Sequence, residues 1–256
     1  MALDYALVRA DNPGPFTLTG TNTYVVGRDP CWCVDPGPQL DAHVAAVAAE
    51  IASRGGAEGI VLTHDHSDHS GAVAALSAAV GAPPVYAARF PGEAVSGGDS
   101  AGPFAIVATP GHAPDHVSYI ADAVAFTGDA VLGEGSVFVA PDPGALRGYL
   151  EGLNRLRALD LAQIAPGHGP LVDDPPAKID AYIAHRLERE RLLVAALGSG
   201  LRTVDELLDS VWSDAPAVLR PAAAVTLAAH LDKLEEEGRL PGGVERPVWD
   251  ARWGQR

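Results

Sequence analysis

Thr63-His64-Asp65-His66-Ser67-Asp68-His69 follows directly on the apolar run Gly59-Ile60-Val61-Leu62. Three histidines and two aspartates fall within six residues there, and the run before them reads as a buried strand. A turn at a strand end lets several short side chains converge on one point. Imidazole and carboxylate are the donors that zinc and related divalent ions take. His64 and His66, two apart, lie on one side of an extended segment. Asp68 and His69 come where the chain turns into a helix at Ser70-Gly71. The spacing leaves room for a second donor set beside the first.

Three further strand ends repeat the pattern downstream. The first is Thr109-Pro110-Gly111-His112-Ala113-Pro114-Asp115-His116, after an apolar run near 104–108. Phe126-Thr127-Gly128-Asp129 delivers one carboxylate beside a glycine, and Ala165-Pro166-Gly167-His168-Gly169-Pro170 delivers one histidine between glycines. Six of the nine histidines lie in these clusters. Alone, a single Asp or His at a strand end is an ordinary framework residue. Its repetition at four strand ends points to one shared site.

The rest of the first segment reads as alternating strands and helices. Thr21–Val26 and Cys31–Val34 are β-branched or apolar runs, ended by Gly27 and by Asp35-Pro36-Gly37. Residues 41–54 and 71–80 read as helices, 84–87 as a strand, 117–120 and 123–127 as a strand pair. A helix over 144–158 and a strand over 161–165 follow. This alternation predicts a layered α/β fold. From about residue 176 the pattern is helical: 178–197, a helix opened by Thr203-Val204-Asp205-Glu206 as a capping signal, and 218–236 ending at Gly238. We expect two domains, 1–176 and 177–256, with Pro175-Pro176 between them.

The chain has 256 residues, 47% hydrophobic and 20% charged, which is ordinary globular usage and rules out a disordered or collagen-like chain. No apolar run approaches the ~18 residues of a membrane span, so no membrane partner is expected. The start, with Asp4 and no basic or long apolar region, does not read as a signal peptide. Two cysteines make no disulfide framework; Cys31 and Cys33 share a strand face and read as core. A cytoplasmic protein is expected. The net charge is −15, and residues 1–176 carry 7 basic against 20 acidic side chains, a balance of −13. Such a body repels polyanions at long range, whereas nucleic-acid binding needs Lys and Arg at the phosphates.

Taken together, THDHSDH, then His112 in TPGH, Asp129 in TGD and His168 in PGHG, resemble the metallo-β-lactamase superfamily in order and spacing. The resemblance implies an α/β fold: an αββα sandwich with a dinuclear metal site at one edge. It implies that His64, His66 and His112 hold one metal, that Asp68, His69 and His168 hold a second, and that Asp129 bridges them. Asp35 would support from behind. Two divalent ions, zinc first and manganese or iron(II) as alternatives, would activate a hydroxide. Asp68 would also orient it or take its proton, and His116 would act as a nearby proton donor or oxyanion contact.

The N-terminal stretch from Asn12 to Tyr24, Gly128–Gly135, Ala177–Arg186 and Leu231–Gly238 are similar to the branch called β-lactamase-like protein 2. That branch implies a small helical, winged-helix-like C-terminal domain beside the site. Its mammalian member is a mitochondrial endoribonuclease on single-stranded RNA, and many bacterial members are metal-dependent hydrolases. The C-terminal end, Val244–Arg256, is less basic than the mammalian one. Two enzyme readings follow: an endoribonuclease on single-stranded RNA, and a hydrolase of a small acyl substrate such as a thioester or lactone with the helical domain as a lid. A third, a DNA-binding regulator, meets the nearly all small and apolar stretch Pro221–His230, which reads as packing. His43, His185 and His230, on helices, read as surface or framework groups; Asn22 and Thr23 read as framework of the first hairpin, with substrate contact as the alternative, and Glu134, five residues after Asp129, is a lesser candidate for support of the site.

Overall fold

In this computed structural model residues 3–248 are described. Residues 249–256, the end of the tail whose basic content was weighed above, lie outside them. One sheet runs in the order β1 (Tyr5–Arg9), β2 (Asn22–Val26), β3 (Cys31–Val34), β4 (Ala57–Val61), β5 (Val85–Ala87), β6 (Glu93–Ala94). The other contains β7 (Ser100–Ala101), β8 (Phe104–Ala108), β9 (Val117–Ala121), β10 (Val124–Gly128) and β11 (Gln163–Pro166), in sequential spatial order from β7 to β11. The helices are α1 (Asp41–Ser53), α2 (Ser67–Ser70), α3 (Val73–Val80), α4 (Ala145–Arg157), α5 (Pro175–Gly198), α6 (Val204–Val211) and α7 (Arg220–Glu236).

The strand alternation builds the layers. In β2 and β3, Tyr24, Val26, Trp32 and Val34 face the second sheet, where they meet Phe104, Tyr119 and Phe126. The intervening Val25, Cys31 and Cys33 face Val47, Ile51 and Leu76 of α1 and α3. Both cysteines are therefore core groups, free and buried. On the far side, Ala125 and Ile164 pack on Leu146, Tyr149 and Leu153 of α4 and on Ile179 and Tyr182 of α5. This is the expected αββα order. Phe126 anchors the middle layer, with edge-to-face contacts to Tyr24 at 5.2 Å and to Phe104 at 5.8 Å. Truncating such a ring costs about 3–5 kcal/mol.

Most elements lie within a few residues of where the periodicity puts them. β1 and the two-residue strands β6 and β7 carried no readable signal. Pro175 and Pro176, expected as an interdomain break, are instead the first two residues of α5. Proline is tolerated there because the first helical N–H groups have no intrahelical acceptor. α5 crosses the expected boundary: Ile179 and Tyr182 belong to the sandwich core, Leu193, Ala196 and Leu197 to the helical core. That second core joins Leu207, Leu208 and Val211 of α6 to Leu227, Leu231 and Leu234 of α7. In α7 the stretch read as packing is packing, with Ala223 and Val225 through Leu231 buried. No strand occurs between residues 203 and 241, and no helix of the described residues is long and apolar enough to cross a membrane.

Candidate metal centre

The four sequence clusters meet at one edge of the sandwich. The turn after β4 brings His64 and His66, α2 brings Asp68 and His69, the β8–β9 loop brings His112, the end of β10 brings Asp129 and the end of β11 brings His168. Three donor triads lie with their ligand atoms within 4.8 Å of one another: His64, His66 and His112; His64, His69 and Asp129; Asp68, His69 and His168. Asp129 spans the whole. Its Oδ1 lies 3.4 Å from His69 Nε2 and 3.3 Å from His168 Nε2, and its Oδ2 lies 3.5 Å from His112 Nε2. Asp68 Oδ2 is 3.2 Å from His168 Nε2. His66 Nδ1 and His112 Nε2 face each other at 3.0 Å.

Close approach needs glycine at two points. A Cβ on Gly167 would fall 2.6 Å from His69 Cε1 and 2.8 Å from Asp129 Oδ1. One on Gly128, where φ is +46°, would fall 2.3 Å from Thr63 Oγ1. The glycines beside Asp129 and His168 thus let the two strand ends close on the histidines.

Buried polar groups around the site fix which imidazole nitrogen is bare. Asp35 accepts from the Thr63 backbone N–H and from the Thr63 hydroxyl, both at 2.8 Å, and from His69 Nδ1 at 2.9 Å. With its own proton committed to Asp35, Thr63 Oγ1 accepts from His64 Nδ1 at 3.0 Å. His112 Nδ1 donates to the Phe138 carbonyl at 3.2 Å. By this network His64, His69 and His112 all turn Nε2 inward. Asn22 donates to the Pro166 and Gly169 carbonyls at 2.9 Å each, holding the loop that carries His168. Asp35 sits where its supporting role was expected; Asn22, read as framework of the first hairpin, braces the His168 loop, and Thr63 is a support the sequence reading passed over.

His116 is placed elsewhere than at the cavity. It is buried, its Nε2 accepts the Asp129 backbone N–H at 3.1 Å and its Nδ1 meets Thr109 Oγ1 at 2.9 Å. Both nitrogens are engaged, and burial first, then the field of His112, holds the ring well below the usual imidazole pKa. A neutral ring facing a backbone amide has no proton to give a substrate, so the expected donor or oxyanion role has no geometry here.

The centre separates its histidines by charge. Burial, then neighbouring histidines, keep His64 far below its ordinary pKa, and burial and then His112 push His66 down to about 3. Burial acts against charge at His69 and His168 too. There the carboxylates outweigh it: Asp68, Asp129 and Asp35 raise His69 well above its usual value, and Asp129 and Asp68 raise His168 to about 9. Burial would raise Asp129, but His168 and His69 hold it well below the carboxylate range.

His64 Nε2, His69 Nε2 and Asp129 Oδ1 are buried without a hydrogen-bond partner. Orphaned buried polar atoms are costly, and groups of this type are retained to bind an ion. Three such atoms, converging from donors of the right chemistry, fit divalent metal.

The mouth over the centre is a cavity of about 270 Å³ lined by Phe16, Phe138 and five of the donors, His66, Asp68, His112, Asp129 and His168, with no Lys or Arg among its lining residues. It shares Phe16, His112, Asp129 and Phe138 with a larger cavity of about 590 Å³. That space lies between the sandwich and the helices, walled by Leu132, Val137, Tyr182, Leu219, Ala223 and their neighbours.

Residues 16–90 and 82–168 match the metallo-beta-lactamase superfamily, and residues 203–241 match the beta-lactamase associated winged helix domain. The chain therefore belongs to the metallo-β-lactamase superfamily and carries that superfamily's associated winged-helix domain, here without strands. It is 32% identical, over 94% of this chain and 86% of the relative, to the Beta-lactamase-like protein 2 homolog of Caenorhabditis elegans. A metallo-beta-lactamase family protein from Thermus thermophilus shares the fold at a TM-score of 0.75 and 23% identity, covering 91% of this chain and 94% of that one. A solved structure in a di-iron-bound form is 28% identical at a TM-score of 0.53, over 66% of this chain and 94% of that one.

Proposed function

We propose that the protein is a metal-dependent hydrolase of small acyl compounds, esters or thioesters, whose acyl group occupies the cavity between the sandwich and the helical domain. The observation that carries this reading is that cavity: about 590 Å³, mostly apolar, and continuous with the donors through Phe16, Phe138, His112 and Asp129. Its size and lining are those of a small-molecule site. RNA, the other reading, needs a basic track: no Lys or Arg lines the mouth, residues 1–176 carry a balance of −13, and the basic residues of the larger cavity, Lys178, Arg186 and Arg189, are outside the mouth's lining.

His64, His66 and His112 would hold one divalent ion, Asp68, His69 and His168 the other, and Asp129 both; zinc is our first choice, with manganese and iron as alternatives. Such ions supply Lewis acidity and bring the pKa of water toward ~7. The chain's own residues do the rest. Asp35, Thr63 and the Phe138 carbonyl fix three imidazoles with Nε2 inward. Phe16 and Phe138, edge to face at 6.0 Å, give the mouth beside the donors its apolar wall. Asp68, held ionised mainly by His69 against burial, can accept a proton at the mouth.

The test is hydrolysis of p-nitrophenyl butyrate and of an unstructured end-labelled RNA at low salt, by wild-type protein and His66→Ala, with metal content measured in parallel. We expect two metal equivalents in the wild type, ester cleavage that His66→Ala loses, and intact RNA. RNA cleavage lost in the mutant, with the ester untouched, overturns the reading.

A further inference from the structure

Arg186, on α5, is 2% exposed and lines the large cavity. Its Nη2 donates to Ser136 Oγ at 2.9 Å and to the Val137 carbonyl, and its guanidinium lies 5.3 Å from the Tyr149 ring centre. Its Nε is buried with no hydrogen-bond partner. Among the described residues no carboxylate forms an ion pair with it. The other cations of the cavity are answered: Arg189 pairs with Asp214 at 2.6 Å, and Lys178 donates to the Gly133 carbonyl at 2.9 Å and feels Glu134. Burying a guanidinium without a counter-charge is costly. Its field reaches its neighbours: burial first, then Arg186, pushes His185 down to about 4 and His230 to about 3. An acidic protein that keeps one unmatched buried cation on the wall of its substrate cavity has left room for an anion.

We propose that Arg186 is a substrate-anchoring residue, and that the acyl group bound in this cavity carries a carboxylate which the Arg186 guanidinium receives while the apolar body fills the space toward Phe138 and Asp129. The inference rests on the acyl-hydrolase reading and narrows it to acyl groups with an anionic end remote from the bond cleaved. It also explains the placing of the ion. A charge-assisted hydrogen bond in a closed apolar site is stronger than one in water, and a neutral analogue of the same shape leaves the guanidinium buried and unmatched. Discrimination of that kind is larger than an apolar wall gives.

The experiment is equilibrium binding to the full-length protein as purified, by calorimetry, of 4-phenylbutyrate and its neutral isostere 4-phenylbutanamide, with Trp212 in the cavity wall as a fluorescence reporter. Wild type should bind the acid at least tenfold more tightly than the amide. Arg186→Met should erase that preference, and Arg186→Lys should keep part of it. Equal binding of acid and amide by wild type overturns the proposal whether or not the variants fold. So does a preference that survives Arg186→Met, since Arg186 would then only hold the 136–138 segment. Hydrolysis of p-nitrophenyl acetate, whose acyl group carries no anion, is measured separately. Its absence with the acid preference intact would sink the hydrolase reading and leave the anion site standing.

Discussion

The backbone N–H of Asp129 donates to His116 Nε2 at 3.1 Å, so the residue that spans both donor sets is held by its main chain as well as by its carboxylate's neighbours. Thr109 Oγ1 sits between His116 Nδ1 at 2.9 Å and Ser118 Oγ at 3.0 Å, completing a buried chain of polar groups behind the centre. His116→Ala should therefore weaken metal binding by about 10–100-fold, the usual effect of losing a group that orients a ligand. The pH profile of hydrolysis at saturating metal should keep its shape. Loss of one limb of that profile would restore a proton-transfer role.

Asp35 joins three donors to one carboxylate, and two of those bonds set the tautomers of His69 and His64. Asp35→Asn replaces an acceptor by a group that must present N–H to at least one of them. Metal affinity should fall by about 10–100-fold, measured by competition with a chromophoric chelator, while the fold persists. An unchanged affinity would show that the imidazoles orient without it.

α6 opens with a reciprocal cap: Thr203 Oγ1 accepts from the Glu206 N–H at 3.3 Å, and the Glu206 carboxylate accepts from the Thr203 N–H at 2.9 Å. Thr203→Ala should cost about 1 kcal/mol, read as a shift in the midpoint of urea unfolding. Metal content should not change, because α6 contributes nothing to the centre.

His230 is buried in α7, neither ring nitrogen has a partner, and burial first, then Arg186, Lys233, His185 and Arg189, hold it down to about 3. In the unfolded chain it titrates near ~6.5. The native state thus refuses a proton that the unfolded state takes, and stability falls as pH drops from about 6.5 toward about 3, by as much as ~1.4 kcal/mol for each pH step. His230→Leu should flatten that decline. The check is the unfolding midpoint of both proteins at pH 7 and pH 5: the gap should move in favour of the variant at pH 5.

The donor set and the layers were readable in the chain because each is a local signal repeated. Three of the four donor segments set Gly directly before the His or Asp, the fourth sets THDHSDH behind an apolar run, and strand-like and helix-like runs alternate between residues 21 and 165. The route of α5 was not readable. Its first half pairs with the sandwich and its second with the helical core, and only the tertiary partners of Ile179 and Leu193 reveal that. His116 misled for a related reason: sequence places it beside His112, while the β8–β9 register turns its ring toward Thr109 and Asp129. Arg186 ends one of the stretches that carry the resemblance, Ala177–Arg186, but nothing in a helix rich in charge singles it out as buried. Its meaning comes from burial without an acid beside it.

The donors come from both sheets, and His64 and His168 stand 104 positions apart in the chain. Ions held among them would knot four distant stretches of backbone at a single point, much as a covalent cross-link closes a long loop. Every ion bound only by the folded chain adds to its stability, about 2.7 kcal/mol at a hundredfold excess over the dissociation constant. The reactive heart of the protein would then also be its clasp, and starvation for metal would threaten the life of the molecule as much as its work.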